Sequence, residues 1–285
     1  MQRNPNTIEI EQIATNLVAM EDGIWSSRNQ SRISYPESGN KVCFQVEDNS
    51  FWFNHRNNCI LKVLSAYPPG GMLFDVGGGN GYISQALKKS GIDTVLVEPG
   101  KTGVANAKAR GVHPIIHSTF QDAGFKRHVI PSVGLFDVLE HIQEDVVFLE
   151  MIRDHLQPSG RLYLTVPAYQ WLWSVVDDDS GHYRRYTIQS LSEVLSQAGF
   201  EVEFASYFFA AMVAPIFFLR HIPSRLGLRK SREVEGYANE LAASTVWMNS
   251  LLTRMLKPEL YILGMKKSLW LGGSCIAVAK PRTAG

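Results

Sequence analysis

Short apolar runs alternate with stretches of helical period along most of this chain, and each run ends in glycine, proline or an acid. Residues 72–76 are such a run, of buried-strand type. They pass into Gly77-Gly78-Gly79-Asn80-Gly81 and then into a helix pattern over 82–89. Residues 94–97 form a second run, ending at Glu98, and a helix over 101–110 follows, stopped by Gly111. Further strands are predicted at 114–117, from 133 to the tip at 137–141, at 161–166, at 199–205 and at 273–280. Helices are predicted at 145–156, through Val146, Phe148, Leu149 and Ile152, and at 188–198, capped by Thr187. Strands alternating with helices predict an α/β fold with a mostly parallel sheet and helices on both faces.

The flanks are less regular. Residues 8–20 place Ile10, Ile13, Leu17 and Met20 at helical spacing, while 28–40 is rich in Ser, Asn, Gly and Pro and reads as loop. The segment 1–50 is expected to be a helical arm or lid, and 51–206 the core. Residues 207–270 form a helical insertion before the last strand, in 271–285. The insertion opens on an apolar run over 207–219 that holds Pro215 and is too short to span a bilayer. Arg220, Arg225, Arg229, Lys230 and Arg232 come next. A helix over 234–263 would put Trp247, Met248, Leu251, Leu252 and Met255 on one apolar face. The insertion is read first as the wall of an acceptor pocket, then as a homodimer contact, then as a peripheral membrane contact.

Composition narrows the classes. The chain has 285 residues, 45% apolar and 19% charged, enough for one sizeable core. A net charge of +1 gives no field that would gather nucleic acid. The three cysteines, Cys43, Cys59 and Cys275, lie far apart with no metal-ligand spacing, which favours a reducing, cytoplasmic setting. Residues 1–7 are polar and lack the apolar core of a signal peptide.

The candidate chemistry sits at the strand ends. The glycines fall as Gly-x-Gly-x-Gly from Gly77 to Gly81. A dinucleotide fingerprint would need glycine at 82, where Tyr82 stands, which speaks against a nucleotide-cofactor oxidoreductase. Asp75 precedes the loop, and an acid at the tip of the second strand, Glu98, can accept both ribose hydroxyls of an adenosine. Asp137, Glu140 and His141 end the fourth strand, at the sheet edge where ligands bind in open α/β folds.

In these features, from about Phe51 to Phe200 and again in the last strand, the chain resembles the class I S-adenosylmethionine-dependent methyltransferases. Residues 137–141 resemble that family's Asp-x-Leu-Glu-His signature, and 181–186 resemble a Gly-His-x-Arg-Arg-Tyr run found in one group of it. The resemblance implies a Rossmann-like seven-stranded sheet and S-adenosylmethionine as cofactor. Asp75, Gly77, Gly78, Gly79 and Gly81 would hold the methionine part, with Asp137 beside it. Glu98 and Pro99 would hold the ribose, and Thr119 and Phe120 the adenine. The aromatic-rich segment 50–58 is similar to one in methyltransferases from glycan and lipid gene clusters. It makes His55 and Arg56 acceptor-binding candidates, together with Trp173, Tyr183 and Arg184 after the fifth strand. Relatives often have His-Asp after the Trp-Ser pair. Here Val176 stands where that histidine would be, so the candidate bases are His182 and His141, with His55 a poorer one. Arg184 and Arg185 are expected to pair with the run Asp177-Asp178-Asp179. Three adjacent aspartates do not converge on one ion, so no metal is expected. The function implied is transfer of a methyl group to a small-molecule or lipid-like acceptor, at oxygen. The alternatives are an S-adenosylmethionine-binding regulatory protein without turnover and, further off, the oxidoreductase.

Overall fold

The computed structural model describes residues 10–20, 23–29, 31, 37–228 and 246–282. In chain order, α1 (Ile10–Ile13) leads into the hairpin β1 (Leu17–Ala19) and β2 (Ile24–Ser27). Helices α2 (Glu37–Val46) and α3 (Phe51–Ala66) follow. Next come β3 (Leu73–Val76), α4 (Tyr82–Lys89), β4 (Thr94–Val97), α5 (Lys101–Ala109), β5 (Ile115–His117) and β6 (Ile130–Phe136). The second half runs through α6 (Asp145–His155), β7 (Leu156–Pro167), α7 (Val175–Ser180), α8 (Ile188–Gln197) and β8 (Phe200–Phe208). Helical turns over 210–225 and the helix Val246–Gly264 precede β9 (Ser274–Pro281).

These strands form one sheet in the order β1-β2-β5-β4-β3-β6-β7-β9-β8. The pairs from β2 through β7 are parallel; β1 and β9 run antiparallel to their neighbours. The seven strands expected from the sequence are there, and the crossing from β3 to β6 puts the sheet's switch point beside the glycine loop.

Two expectations for the N-terminal segment are corrected. Of the helix foreseen over 8–20, the described residues are helical over Ile10–Ile13 and turn into β1 by Leu17, and 37–40 of the foreseen loop begins α2. The cause is tertiary. The edge of β5 would carry unpaired backbone groups, and β2 covers it through Ile24, Trp25 and Ser26 opposite Ile115, Ile116 and His117. Helix α1 ends where Thr15 N donates to Gly124 O (3.0 Å) and the Asn16 amide donates to Asp122 O (2.6 Å).

The core lies on both faces of the sheet, as the parallel arrangement requires. Successive β3 side chains part to opposite sides. Phe74 and Val76 join Val133, Leu149 and Leu191, while Leu73 joins Ile60, Leu87, Tyr163, Phe208 and Leu256. Each such burial is worth roughly 1.5–3 kcal/mol. The helix Val246–Gly264 packs on α3 through Leu256 and Leu263, both buried, whereas Leu251 and Met255 are exposed. Of the described residues on the face foreseen as apolar, Leu252 is half-buried while Leu251 and Met255 point away, and the docked side runs through Leu256, Glu259 and Leu263. The rest of the helix foreseen over 234–245, and the side chains of Trp247 and Met248, lie outside the described residues. No helix among the described residues is long and apolar enough to cross a membrane. Cys43, Cys59 and Cys275 form no disulfide.

Candidate active site

The carboxyl ends of β3, β4, β6 and β7 open into a cleft of about 790 Å³. Its donor end is built by the glycine loop. Gly77 and Gly79 sit at φ 71° and 54°, the left-handed region that a side chain would strain. A Cβ on Gly78 would lie 2.5 Å from Asp75 Oδ2. Asp75 is buried under the loop. Its Oδ2 accepts from the Ser84 hydroxyl (2.6 Å), its Oδ1 takes no hydrogen bond, and burial lifts its pKa to about 6. Glu98 Oε2 accepts from Gly79 N (2.9 Å) and Oε1 from Gly100 N (2.7 Å). Burial raises the Glu98 pKa to about 7 against the pull of those amides. Glu98 thus props the loop and faces the cleft at once.

Pro99, Thr119 and Phe120 also line the cleft. Thr119 Oγ1 accepts from Asp122 N (3.0 Å), and the Phe120 ring leans on Phe125 and His155 at centroid distances of 5.0 and 5.5 Å. Gly81 opens α4 against Ala107 and Val112, so it shapes the turn rather than the cleft wall. His117 bonds Pro99 O at 3.2 Å, a structural position.

A lid was foreseen within 1–50 but no helix at its end; helix α2 is the roof over this end and brings Asn40, Cys43 and Glu47 to the cleft. A buried polar network binds it down. The Asn80 amide donates to Asn40 O (2.9 Å) and Glu47 Oε1 (3.1 Å), and Arg110 pairs with Glu47 (2.9 Å). Burial raises the Glu47 pKa, partly offset by Asn80 and Arg110.

The other end of the cleft is set by the tips of β6 and β7. Asp137 turns at φ 58°. Its Oδ1 accepts from the Thr165 hydroxyl (2.8 Å), and Arg56 Nε lies 2.8 Å from its Oδ2. The turn Leu139–His141 then presents Glu140 and His141. The loop after α7 folds onto this turn, with Tyr183 N donating to Glu140 O (2.8 Å), and brings His182 over His141 with ring centroids 4.7 Å apart. His182 Nδ1 lies 2.9 Å from Asp177 Oδ1. Arg185 holds the same carboxylate through Nε (2.7 Å to Oδ1) and Nη2 (2.9 Å to Oδ2). Burial would raise Asp177, but these two partners win and hold its pKa at about 2. His141 is pushed down to about 4 by burial and then by the nearby His182. Glu140 is pushed well above the carboxylate range by burial and then by Asp137, and its Oε2 is buried with no hydrogen bond. Trp52, Phe53, Arg56, Phe209, Ile216 and Arg220 also line the cleft.

Four candidate acceptor contacts do not form the cleft wall. His55 is buried, with Nε2 3.0 Å from Glu259 Oε2 and 3.3 Å from Cys59 Sγ. Trp173 donates through Nε1 to Asp178 Oδ1 (3.0 Å). Tyr183 is half-exposed on the outer side of its loop. Arg184 pairs with Asp145 (2.6 Å), not with the aspartate run. The reason is local. The chain reverses at Gly181 (φ 72°), which turns His182 and Arg185 inward to Asp177 and leaves Tyr183 and Arg184 outward. Of the acceptor candidates, Arg56 remains in the wall.

The chain matches a family model described as "Methyltransferase domain" over residues 54–204, more than half its length, and belongs to that family. The family and this cleft make S-adenosylmethionine its cofactor. Among curated proteins none matches the chain. Solved structures share the fold at low identity. A [4+2]-cyclase, SpnF, is 16% identical, with 89% of this chain and 100% of that one covered and a TM-score of 0.57. A methyltransferase from Haloferax volcanii, solved with the Trm112 methyltransferase activator, is 14% identical, with 87% and 95% covered and a TM-score of 0.54. Haemonchus contortus phosphoethanolamine N-methyltransferase 2, solved with phosphomonomethylethanolamine and S-adenosylhomocysteine, is 16% identical, with 88% and 59% covered and a TM-score of 0.51.

Proposed function

We propose that this chain transfers the methyl group of S-adenosylmethionine to a hydroxyl of a small-molecule or lipid-like acceptor. The observation that carries the reading is a single cleft that joins the glycine loop and Glu98 at one end to the His141–His182 pair at the other. The cofactor supplies an already activated methyl on a sulfonium. The protein's part is to hold the nucleophile in line and keep water out. In this reading Gly77, Gly78 and Gly79 leave room for the methionine part against the backbone. Glu98, ionised, accepts the ribose hydroxyls, and Phe120 packs on the adenine. Trp52, Phe209 and Ile216 give the acceptor an apolar wall, and Arg56, Arg185 and Arg220 give that wall a cationic side. Asp177 fixes the tautomer of His182 with the proton on Nδ1. Nε2 is then free to take the proton of the attacking hydroxyl.

Calorimetry with S-adenosylhomocysteine and NAD, followed by methyl transfer to a panel of hydroxylated acceptors, tests the reading. Binding of the adenosyl ligand alone, with a methylated product, is expected. Adenosyl binding with no product across the panel would favour a binding protein without turnover, and binding of NAD alone would end the methyltransferase reading.

A further inference from the structure

At the acceptor end, Glu140, His141 and His182 bring one carboxylate oxygen and two imidazole nitrogens within 4.8 Å of one another. All three residues line the cleft. Two imidazoles and one carboxylate are a donor set that holds divalent transition metals with coordination positions left open for substrate.

Three independent features suit a cation there. Glu140 is 1% exposed, and its Oε2 is buried without a hydrogen bond, a polar atom left without a partner that a bound cation would satisfy. His182 carries on its other nitrogen the Asp177 carboxylate, at 2.9 Å. A metal-bound histidine almost always donates its other ring N–H to a carboxylate, a carbonyl or water; here the partner is a carboxylate that Arg185 in turn fixes. His141 bonds the backbone of Gly181, which orients the second ring. A second cluster, His55, Cys59 and Glu259, is less suited. Glu259 there already accepts from Phe209 N (2.8 Å) and Ala210 N (2.7 Å) and meets His55, and the group is fully buried.

We propose that Glu140, His141 and His182 bind a divalent transition-metal cation of the zinc class, and that the acceptor's hydroxyl takes an open position on it. The proposal deepens the methyl-transfer reading and rests on it for the role of the cation. A hydroxyl on such a cation loses its proton near neutral pH, as a metal-bound water does. The acceptor oxygen gives that proton to solvent and forms the new O–CH3 bond, while the electron pair of the broken C–S bond stays on sulfur. With the cation in place, Nε2 of His182 is a ligand; without it, the same nitrogen serves as the base. The donors are not the aspartate run weighed from the sequence, which lies in α7 with Asp177 turned to the histidine.

The test is titration of the chelator-treated full chain with Co2+, read by visible absorption and calorimetry, with Zn2+ as competitor. One cation per chain is expected, with d–d bands and no thiolate charge-transfer band. Cys59→Ser should leave this unchanged. Glu140→Gln and His182→Ala should each weaken binding about 100-fold or more, and Asp177→Asn by roughly 10–100-fold. Melting temperature and S-adenosylhomocysteine affinity show which variants are folded, and any one folded variant suffices. Absence of Co2+ binding, a thiolate band, or unchanged affinity in a folded Glu140→Gln chain would overturn the proposal. Methyl transfer that survives complete chelation would remove the cation and leave the methyl-transfer reading standing.

Discussion

Asp177 Oδ1 lies 2.9 Å from His182 Nδ1, across the turn at Gly181, and the same carboxylate is clamped by Arg185. One buried acid therefore sets both the tautomer of the histidine and the shape of the loop that closes the acceptor end. Asp177→Asn should lower methyl transfer by roughly 10²–10⁴-fold, as loss of an oriented base does, with S-adenosylhomocysteine affinity unchanged. His182→Ala should match it. A variant whose activity falls only in proportion to its unfolded fraction would make this pair structural instead.

The same acid has a signature in stability. Its folded pKa of about 2 lies below its ordinary 3.8. The folded state therefore holds fewer protons than the unfolded one between those values, and stability falls as pH drops through that window. The contribution, full above about pH 5, amounts to about 2 kcal/mol. Acid titration followed by circular dichroism should show that loss in the native chain and not in Asp177→Asn.

Glu98 makes the opposite prediction. Burial holds its pKa near 7, against 4.5 for an ordinary glutamate. Between pH 4.5 and 7 the folded state keeps a proton that the unfolded state has lost, so this group's contribution weakens as pH rises across that range. A ligand that donates hydroxyls to Glu98 needs the ionised form. Affinity for S-adenosylhomocysteine should therefore rise as pH is raised through about 7. Glu98→Gln should flatten that dependence, and Glu98→Ala should cost roughly 1–3 kcal/mol of binding. A pH-independent affinity in the native chain would place the hydroxyls elsewhere.

The seven core strands were legible because each is an apolar run closed by a turn residue or an acid, a local signal. The β1–β2 hairpin was not. Its strands are three and four residues long and half-exposed, and they exist because β5 offers an edge more than 85 residues away in sequence. The glycine loop, Glu98 and the 137–141 tip stand out as motifs, since backbone geometry dictates their residue types. Which of Asp177, Asp178 and Asp179 meets His182 is decided by the left-handed turn at Gly181, and Phe209 and Arg220 reach the cleft only through tertiary packing. The outward placement of Tyr183 and Arg184 has the same origin: the loop was legible, its facing was not.

Gly78 is a sharper probe of the loop than its flexible neighbours, because contact, not backbone angle, is what excludes a side chain. A methyl there would lie 2.5 Å from Asp75 Oδ2 and against Leu96. Gly78→Ala should cost roughly 1–3 kcal/mol of stability by overpacking and weaken S-adenosylhomocysteine binding. Gly70→Ala, which meets no atom within 4 Å, serves as the control and should melt like the native chain.

The wall of the acceptor end depends on a residue far from it in sequence. Phe209 stacks on Trp52 with centroids 3.9 Å apart, and both line the cleft. Phe209 holds a left-handed backbone at φ 62°, a conformation disfavoured for a bulky residue. Glu259 keeps it there by accepting from Phe209 N and Ala210 N, while His55 steadies the carboxylate from behind. Glu259→Ala strands two amides and an imidazole in a buried site, which should cost roughly 3–5 kcal/mol. Glu259→Gln keeps one acceptor oxygen and should cost less, so it is the variant for kinetics. With the strap loosened, the Trp52–Phe209 stack loses its support, while the glycine loop and Glu98 keep theirs. The expected result is a raised KM for the acceptor with S-adenosylhomocysteine affinity unchanged. Equal losses on both ligands would mean that Glu259 supports the whole cleft and not the acceptor wall alone.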